Sequence, residues 1–333
     1  MILVTGATGH IGNVLVRQLL EKKEHVRVLI LPGENLSSLI GAHVDVVVGD
    51  ILDPTALEKA FEDIDTVYHL ASLVSITSGK EELLWRVNVD GTQNMLDAAM
   101  NADVKRFVYT SSIHAIERPP AGVSIDETRP FDDNNPAGPY DRTKAAASLR
   151  VLEASKKGLD TVLVCPTGVI GPFDFKRSEL GELILDWMKP QVSVLIDGKF
   201  DFVDVRDVAA GHIAAARHGR AGETYILGGH QITLNQFRTT IQEFVGKHTP
   251  SIVLPFPTAL MAAELAAIYY RISHTRPKFT KYAVETLMSN SEISSEKAFK
   301  ELGFHQRPII DTIRDTVDWW KLNQSKVKST LRA

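Results

Sequence analysis

Tyr140 and Lys144 stand four residues apart in the stretch GPYDRTKAAAS, and two serines that could join them, Ser111 and Ser112, close the upstream run FVYTSS. On a helix, residues at this spacing share one face. A free phenol has a pKa of about 10 and is a poor base at neutral pH. A neighbouring ammonium favours the phenolate, and a serine hydroxyl can hold a carbonyl or alcohol oxygen beside the tyrosine. Such a set can move a proton at a carbon that gives or takes a hydride. The spacing alone is common on surface helices, so its meaning depends on the elements that position it.

Those elements read as an alternation. MILVTG, HVRVLIL, VDVVVGD, DTVYHLA, RFVYTSS and DTVLVCPTG are apolar runs of strand length. Helical patterns such as GNVLVRQLLEKK (Val14, Leu15, Gln18, Leu19), PTALEKAFED and VDGTQNMLDAAMNA lie between them. Strands that are apolar throughout are buried on both faces, as in a parallel sheet. The alternation predicts an α/β fold with a doubly wound parallel sheet. The sheet domain should run over residues 1–170, with the chain returning to it at about 202–228. Residues 171–201 and 229–323 should form a smaller, mostly helical substrate domain, and 324–333 a tail. In PIIDTIRDTVDWWK, Ile310, Ile313, Val317 and Trp320 fall on one helical stripe.

VTGATGHIG places Gly6, Gly9 and Gly12 at intervals of three, after the first strand and at the start of the first helix. Glycines there permit a tight turn and let backbone approach a phosphate, and the helix N-terminus offers free N–H groups to a pyrophosphate. The position inside a βαβ unit marks a Rossmann-type dinucleotide site. Thr8, His10 and Ile11 share the loop, with the His10 side chain read as a surface group. After the second strand, a carboxylate would bind a ribose 2′-hydroxyl and an arginine a 2′-phosphate. Ile30 and Leu31 supply neither, while Glu34 lies farther along in a loop. The cofactor is therefore NAD or NADP, with the balance toward NAD. Asp50, followed by Ile51, can meet the adenine edge or cap the helix of PTALEKAF.

TGATGHIG, GDILD, YHLAS, VNVDGTQNML, FVYTSS, YDRTK, PTGVIGP and DFVDVRDVA occur in the order in which they stand in the extended short-chain dehydrogenase/reductase family. The chain resembles that family, in its NAD-dependent epimerase/dehydratase branch, over most of its length. The resemblance implies that Ser112 is the hydroxyl of a triad, Tyr140 its acid/base and Lys144 its partner, with Ser111 the alternative serine. It implies that Leu70, Ala71, Ser72 and Thr110 line the cofactor, and that Asn88 supports the active-site geometry. It places Pro166, Thr167, Gly168 and Val169 beside the nicotinamide, and implies a homodimer.

Sugar-nucleotide epimerases of the family carry arginines where this chain has Cys165 and Phe200. A diphosphate needs cationic partners; Arg206, Arg271 or Lys278 would have to substitute. PTGVIGP with DFVDVRDVA is more similar to the dihydroflavonol-reductase-like and 3β-hydroxysteroid-dehydrogenase-like members. Met261, Tyr269, Tyr270 and Phe279 suit an apolar substrate pocket or plain domain core. The resemblance thus implies an NAD(P)-dependent oxidoreductase acting on a carbonyl/alcohol pair. A nucleotide-sugar epimerase or dehydratase with the same triad, and a non-catalytic NAD(P)-sensing protein, stay open beside it.

Composition narrows the rest. The chain has 333 residues and a net charge of −4, with no basic block in its body, which argues against nucleic-acid binding. Cys165 and His69 read as packing residues, and no histidine spacing suggests a metal site. One cysteine permits no intrachain disulfide and fits a cytoplasmic setting. MILVTGATG lacks a basic segment and a cleavage site, so no secretory signal is expected. The apolar stretch 252–272 is broken by prolines and carries Glu264 and Arg271, so no membrane span is expected.

Overall fold

A computed structural model describes residues 1–74, 79–120, 122–273, 280–288 and 292–330. Its centre is a parallel sheet of seven strands: β1 (Ile2–Thr5), β2 (Val26–Ile30), β3 (Asp45–Val48), β4 (Thr66–His69), β5 (Arg106–Thr110), β6 (Thr161–Pro166) and, last in the chain, β10 (Glu223–Leu227). Their order across the sheet is β10-β6-β5-β4-β1-β2-β3. The order reverses at β1, between β4 and β2, which opens a crevice above the strand ends where a doubly wound sheet binds ligands. One face packs under α1 (His10–Glu21) and α7 (Val205–His218), burying Val14, Leu15, Val108 and Val208. The other lies under α2 (Pro54–Ala60), α4 (Gly91–Asn101) and α5 (Pro139–Lys156), burying Leu3, Leu57, Met95, Phe107 and Val151. Burial from both sides accounts for the uninterrupted apolar strands. On the edge strand β3, Val46 and Val48 are exposed.

A short helix, α3 (Glu81–Trp85), runs through a π-helical stretch at Arg86–Asp90 into α4. Beyond the sheet, β7 (Gly168–Ile170), β9 (Lys199–Asp204) and β11 (His230–Thr233) form a three-stranded sheet, and β8 (Ser193–Ile196) pairs in parallel with β12 (Ser251–Leu254). The chain returns to the main sheet through α7 and β10, and β9 belongs to the smaller sheet. The helices α6 (Glu179–Trp187), α8 (Leu234–Val245), α9 (Phe256–Ser273), α10 (Lys281–Met288), α11 (Glu296–Leu302) and α12 (Ile309–Thr330) complete the fold. Of the predicted α12 stripe, Ile313, Val317 and Trp320 are buried in a core with Phe202 and Phe237, while Ile310 is exposed. The expected tail from 324 is helical to Thr330. No helix among the described residues is long and apolar enough to cross a membrane, and no described cluster of His, Cys, Asp and Glu could hold a metal ion.

Candidate active site

The glycine loop closes the end of β1. Gly6 has φ +67°, and a Cβ there would lie 2.7 Å from the Ala71 nitrogen and from the Leu70 carbonyl carbon. Only glycine combines that conformation with so close a strand end. A Cβ on Gly12 would sit 2.1 Å from the Gly6 oxygen, so helix and loop pack backbone to backbone. Gly9 is the N-cap of α1 and provides no side-chain cap, and the first turn carries no acidic residue. The first N–H groups of α1 thus have no side-chain acceptor, and the loop surface is bare backbone. That combination fits a dinucleotide pyrophosphate.

Several loop neighbours are spoken for. His10 Nε2 bonds to the Pro172 carbonyl (3.0 Å), so the imidazole ties the loop to the segment after β7 and is not free as a ligand. Asn13 Nδ2 donates to the carbonyls of Gly9 (2.7 Å) and Phe173 (3.1 Å), reinforcing the tie. Ile11 packs against the core beneath α1. Thr8 is buried and its hydroxyl donates to Glu34 Oε1. Glu34 Oε2 accepts from the Leu31 N–H (3.0 Å), so the carboxylate that the sequence left in a loop curls back to the mouth of the glycine loop. Lys176 reaches the same carboxylate at 2.7 Å. Burial acts to raise the Glu34 pKa, but the bonds from Lys176, Thr8 and Leu31 outweigh it and hold the carboxyl below its ordinary range.

Asp50 does not cap α2. Its Oδ1 accepts from Leu52 N at 2.9 Å, and Asp53 caps the helix by accepting from Thr55 N at 3.0 Å. Ile51 is buried in the core, so only its backbone is available at the crevice. The end of β4 is held by a chain of hydrogen bonds that the packing reading of His69 missed. The Ala71 N–H donates to Thr5 Oγ1 (3.1 Å), and Thr5 meets His69 Nδ1 (2.7 Å). His69 Nε2 meets Thr92 Oγ1 (3.1 Å), which donates to the Asn88 carbonyl (2.7 Å). Burial drives the His69 pKa down to about 3, so the ring is neutral. One ring N–H can then serve only one side, and the chain orders as Thr5 donating to Nδ1 and Nε2 donating to Thr92.

Asn88 lies in the π-helical stretch, a distortion that recurs at functional sites. Its amide holds both backbone groups of Leu73 (2.7 and 3.0 Å) and donates to Thr143 Oγ1 (3.1 Å). Thr143 in turn donates to the Tyr140 carbonyl (3.0 Å). The loop carrying Leu70, Ala71 and Ser72 is thereby braced against the first turn of α5, beside Tyr140.

The two serines point apart. Ser111 Oγ is 2.6 Å from Ser148 Oγ inside the α5 contact. Ser112 Oγ accepts from the His114 N–H (3.2 Å), which leaves its own proton for another acceptor, and it lies close enough to Tyr140 to lower that residue's pKa. Burial nevertheless dominates and pushes the Tyr140 phenol up to about 12. Lys144 donates to Tyr109 Oη (3.0 Å) and to the Thr110 carbonyl, not to Tyr140. Burial takes its pKa down to about 7. The ammonium expected to acidify the phenol is thus engaged by β5, and burial sets the high pKa of Tyr140. The Thr110 hydroxyl faces His212 Nε2 on α7 (2.8 Å), so Thr110 meets this site through its carbonyl alone.

Pro166 ends β6 and Thr167 follows it, both buried, and Val169 packs toward the core. A Cβ on Gly168 would lie 3.0 Å from the Phe200 ring. Cys165 is buried, its thiol pushed up to about 12 by burial, which suits packing rather than nucleophilic attack. Arg206 is committed to Asp204 (2.7 Å) and Asp315 (2.8 Å). It is therefore not available to a diphosphate. Met261 is exposed rather than lining a pocket. Lys278, Phe279 and the side chains of Tyr269 and Arg271 lie outside the described residues. Sequence reading did not single out His114, Asp141, Lys176 or Tyr282. The signals within its reach were adjacency alone: His114 two residues after Ser112, and Asp141 next to Tyr140.

Residues 2–228 match the family model described as "NAD dependent epimerase/dehydratase family". "Sterol demethylase protein B" of Methylococcus capsulatus is 34% identical over 96% of this chain and 98% of its own. A "3 beta-hydroxysteroid dehydrogenase/Delta 5-->4-isomerase" of Mycobacterium tuberculosis is 31% identical over 91% of this chain and 85% of its own. The crystal structure of gox2253 superposes with a TM-score of 0.86, at 31% identity, over 97% of this chain and 98% of that one.

Proposed function

The chain belongs to the NAD dependent epimerase/dehydratase family, and from that premise we propose that it is an NAD-dependent oxidoreductase for a carbonyl/alcohol pair on a largely apolar small molecule. The observation that carries this reading is the character of the substrate side. Phe200 is buried against His114 and Phe202, and Arg206 is locked between two aspartates. A nucleotide sugar would bring two phosphates to that side, and among the described residues the cation proposed for them is already paired. The relatives named for steroid chemistry support the same direction.

Gly6, Gly9, Gly12 and the N-terminus of α1 would hold the pyrophosphate, and the loop at Leu70–Ser72 with Pro166–Val169 would flank the rest of the cofactor. When bound, the nicotinamide supplies or accepts the hydride. The chain's own contribution is the proton. With its pKa near 12, Tyr140 keeps its proton at neutral pH and can give it to the oxyanion that develops when a carbonyl is reduced. Ser112, whose oxygen already accepts from His114 N–H, has its hydroxyl proton available for the same oxygen. In the reverse direction the same group would first have to lose its proton and act as the base. Glu34, bonded by Thr8 and Leu31 N–H, supports NAD over NADP, since a carboxylate at that edge receives a 2′-hydroxyl and repels a 2′-phosphate.

Tyr140→Phe tests the reading. It should abolish NADH-dependent turnover while NADH still binds, as followed by fluorescence titration. Unchanged turnover refutes the acid role. Product formation without stoichiometric loss of NADH would replace the reductase with an epimerase.

A further inference from the structure

Four side chains form a linked cluster next to the proposed acid. Asp141 follows Tyr140 on α5 and is fully buried. Its Oδ2 accepts from Arg118 Nη2 (3.0 Å) and its Oδ1 from the Tyr282 hydroxyl (2.7 Å). The same Arg118 nitrogen lies 3.1 Å from His114 Nδ1. The ring of His114 stacks on Phe200, centroids 5.9 Å apart and 13° from parallel, and lies 6.2 Å from that of Tyr282. Phe200 borders Gly168, and Tyr282 borders Gly138 at the start of α5. The imidazole is thus fixed between the first turn of α5 and the strand segment after β6, two residues beyond Ser112.

The chemistry of Arg118 decides the state of that ring. A guanidinium has only donors and stays charged, so His114 Nδ1 must be the acceptor. A neutral imidazole that accepts through Nδ1 carries its proton on Nε2. Burial lowers the His114 pKa, Asp141 acts to raise it and Arg118 to lower it, and the outcome is a neutral ring. Among the described residues Nε2 meets no acceptor, and the residue is half-buried. A neutral, oriented N–H beside a proton-transfer pair is a recognition group without being a competing acid.

We propose that His114 is a specificity-determining residue whose Nε2–H donates to a second oxygen of the substrate, one carried next to the reacting carbonyl. The substrate class is then a ketone with a neighbouring carbonyl or hydroxyl on an otherwise apolar frame. The proposal rests on the reductase reading above. Tyr282, Asp141 and Arg118 act as positioning residues that hold the tautomer.

The test compares two ketones of one skeleton, 1-phenyl-1,2-propanedione and 1-phenyl-2-propanone, with NADH. The wild-type protein should favour the dione in kcat/KM. His114→Leu should cut that preference about tenfold or more, chiefly through KM, because an acceptor left unpaired loses its discrimination. His114→Gln, which restores an N–H, should recover part of it. Nitrogen-15 spectra of labelled histidine should show a neutral ring protonated at Nε2. A preference that His114→Leu leaves unmoved, a wild-type protein that favours the monoketone, or an Nδ1–H or charged ring overturns the assignment and leaves the reductase reading intact. Turnover of neither ketone counts against both.

Discussion

Lys144→Met in the cofactor-free protein should reverse its effect on stability across the pH scale. Lys144 is almost fully buried, and its pKa falls from an ordinary value of about 10.4 to about 7. At 1.36 kcal/mol per pKa unit, housing this amine costs roughly 5 kcal/mol at and below pH 7. Methionine removes that cost. It also removes the bonds to Tyr109 Oη and to the Thr110 carbonyl, stranding a buried acceptor at a loss of about 2–3 kcal/mol. The variant should therefore be more stable than the wild type by about 2 kcal/mol at pH 6–7. Between pH 7 and about 10.4 the unfolded chain keeps a proton that the folded chain has lost, so wild-type stability rises with pH, by up to about 1.4 kcal/mol per unit. The advantage of methionine should shrink along that range and change sign near pH 9, by the same arithmetic. Denaturant midpoints of both proteins from pH 6 to 10 measure it. A difference that does not vary with pH would mean that the amine is not the titrating group, and the electrostatic reasoning about α5 would fall. Activity should be lost in the variant at every pH.

Glu34→Ala should move cofactor preference toward NADPH by about tenfold or more, since it removes a carboxylate that repels a 2′-phosphate and frees Lys176 to meet one; separate fluorescence titrations of NADH and NADPH give the ratio, and an unchanged ratio would detach Glu34 from cofactor choice. Ser112→Ala should lower kcat by about 10²-fold or more, whereas Ser111→Ala should cost about 1 kcal/mol of stability by removing one buried hydrogen bond to Ser148, which keeps its bond to the Lys144 carbonyl. Equal kinetic losses in the two serine variants would argue that the strand end is read in the wrong register.

What could be read in the chain, and what could not, separates along a physical line. The inner strands of the main sheet were legible because two-sided burial leaves them largely apolar, and the glycine loop because backbone contact at Gly6 and Gly12 tolerates no side chain. The small strands were not. β12 lies in a run that also matches the start of α9, and it is a strand only because Ser251–Leu254 pairs with Ser193–Ile196, far away in the chain. Its Ile252 and Val253 are exposed, so periodicity carries no burial signal there. The site divides in the same way. A spacing of four places Tyr140 and Lys144 on one helix face, but it cannot weigh Tyr140 against Tyr109 and the Thr110 carbonyl as partners for the amine. β5 wins, and the phenol, with burial unopposed by that amine, has a raised pKa instead of the expected lowered one.

That outcome bears on how the first turn of α5 works. Neighbouring residues on a helix point about 100° apart, so Tyr140 and Asp141 serve different walls from one turn. The Tyr140 carbonyl is tied through Thr143 to Asn88 and the β4 loop on the cofactor side. Asp141 is tied to Tyr282 and, through Arg118, to His114 on the substrate side. Asp141 holds Arg118 at 3.0 Å, and Arg118, which can only donate, fixes the His114 tautomer. The proposed acid and the proposed recognition group are thereby set by a single helical turn. On the proposed roles, a substitution at Tyr282 or Arg118 should act on the helical turn that carries Tyr140, so turnover and selectivity should change together.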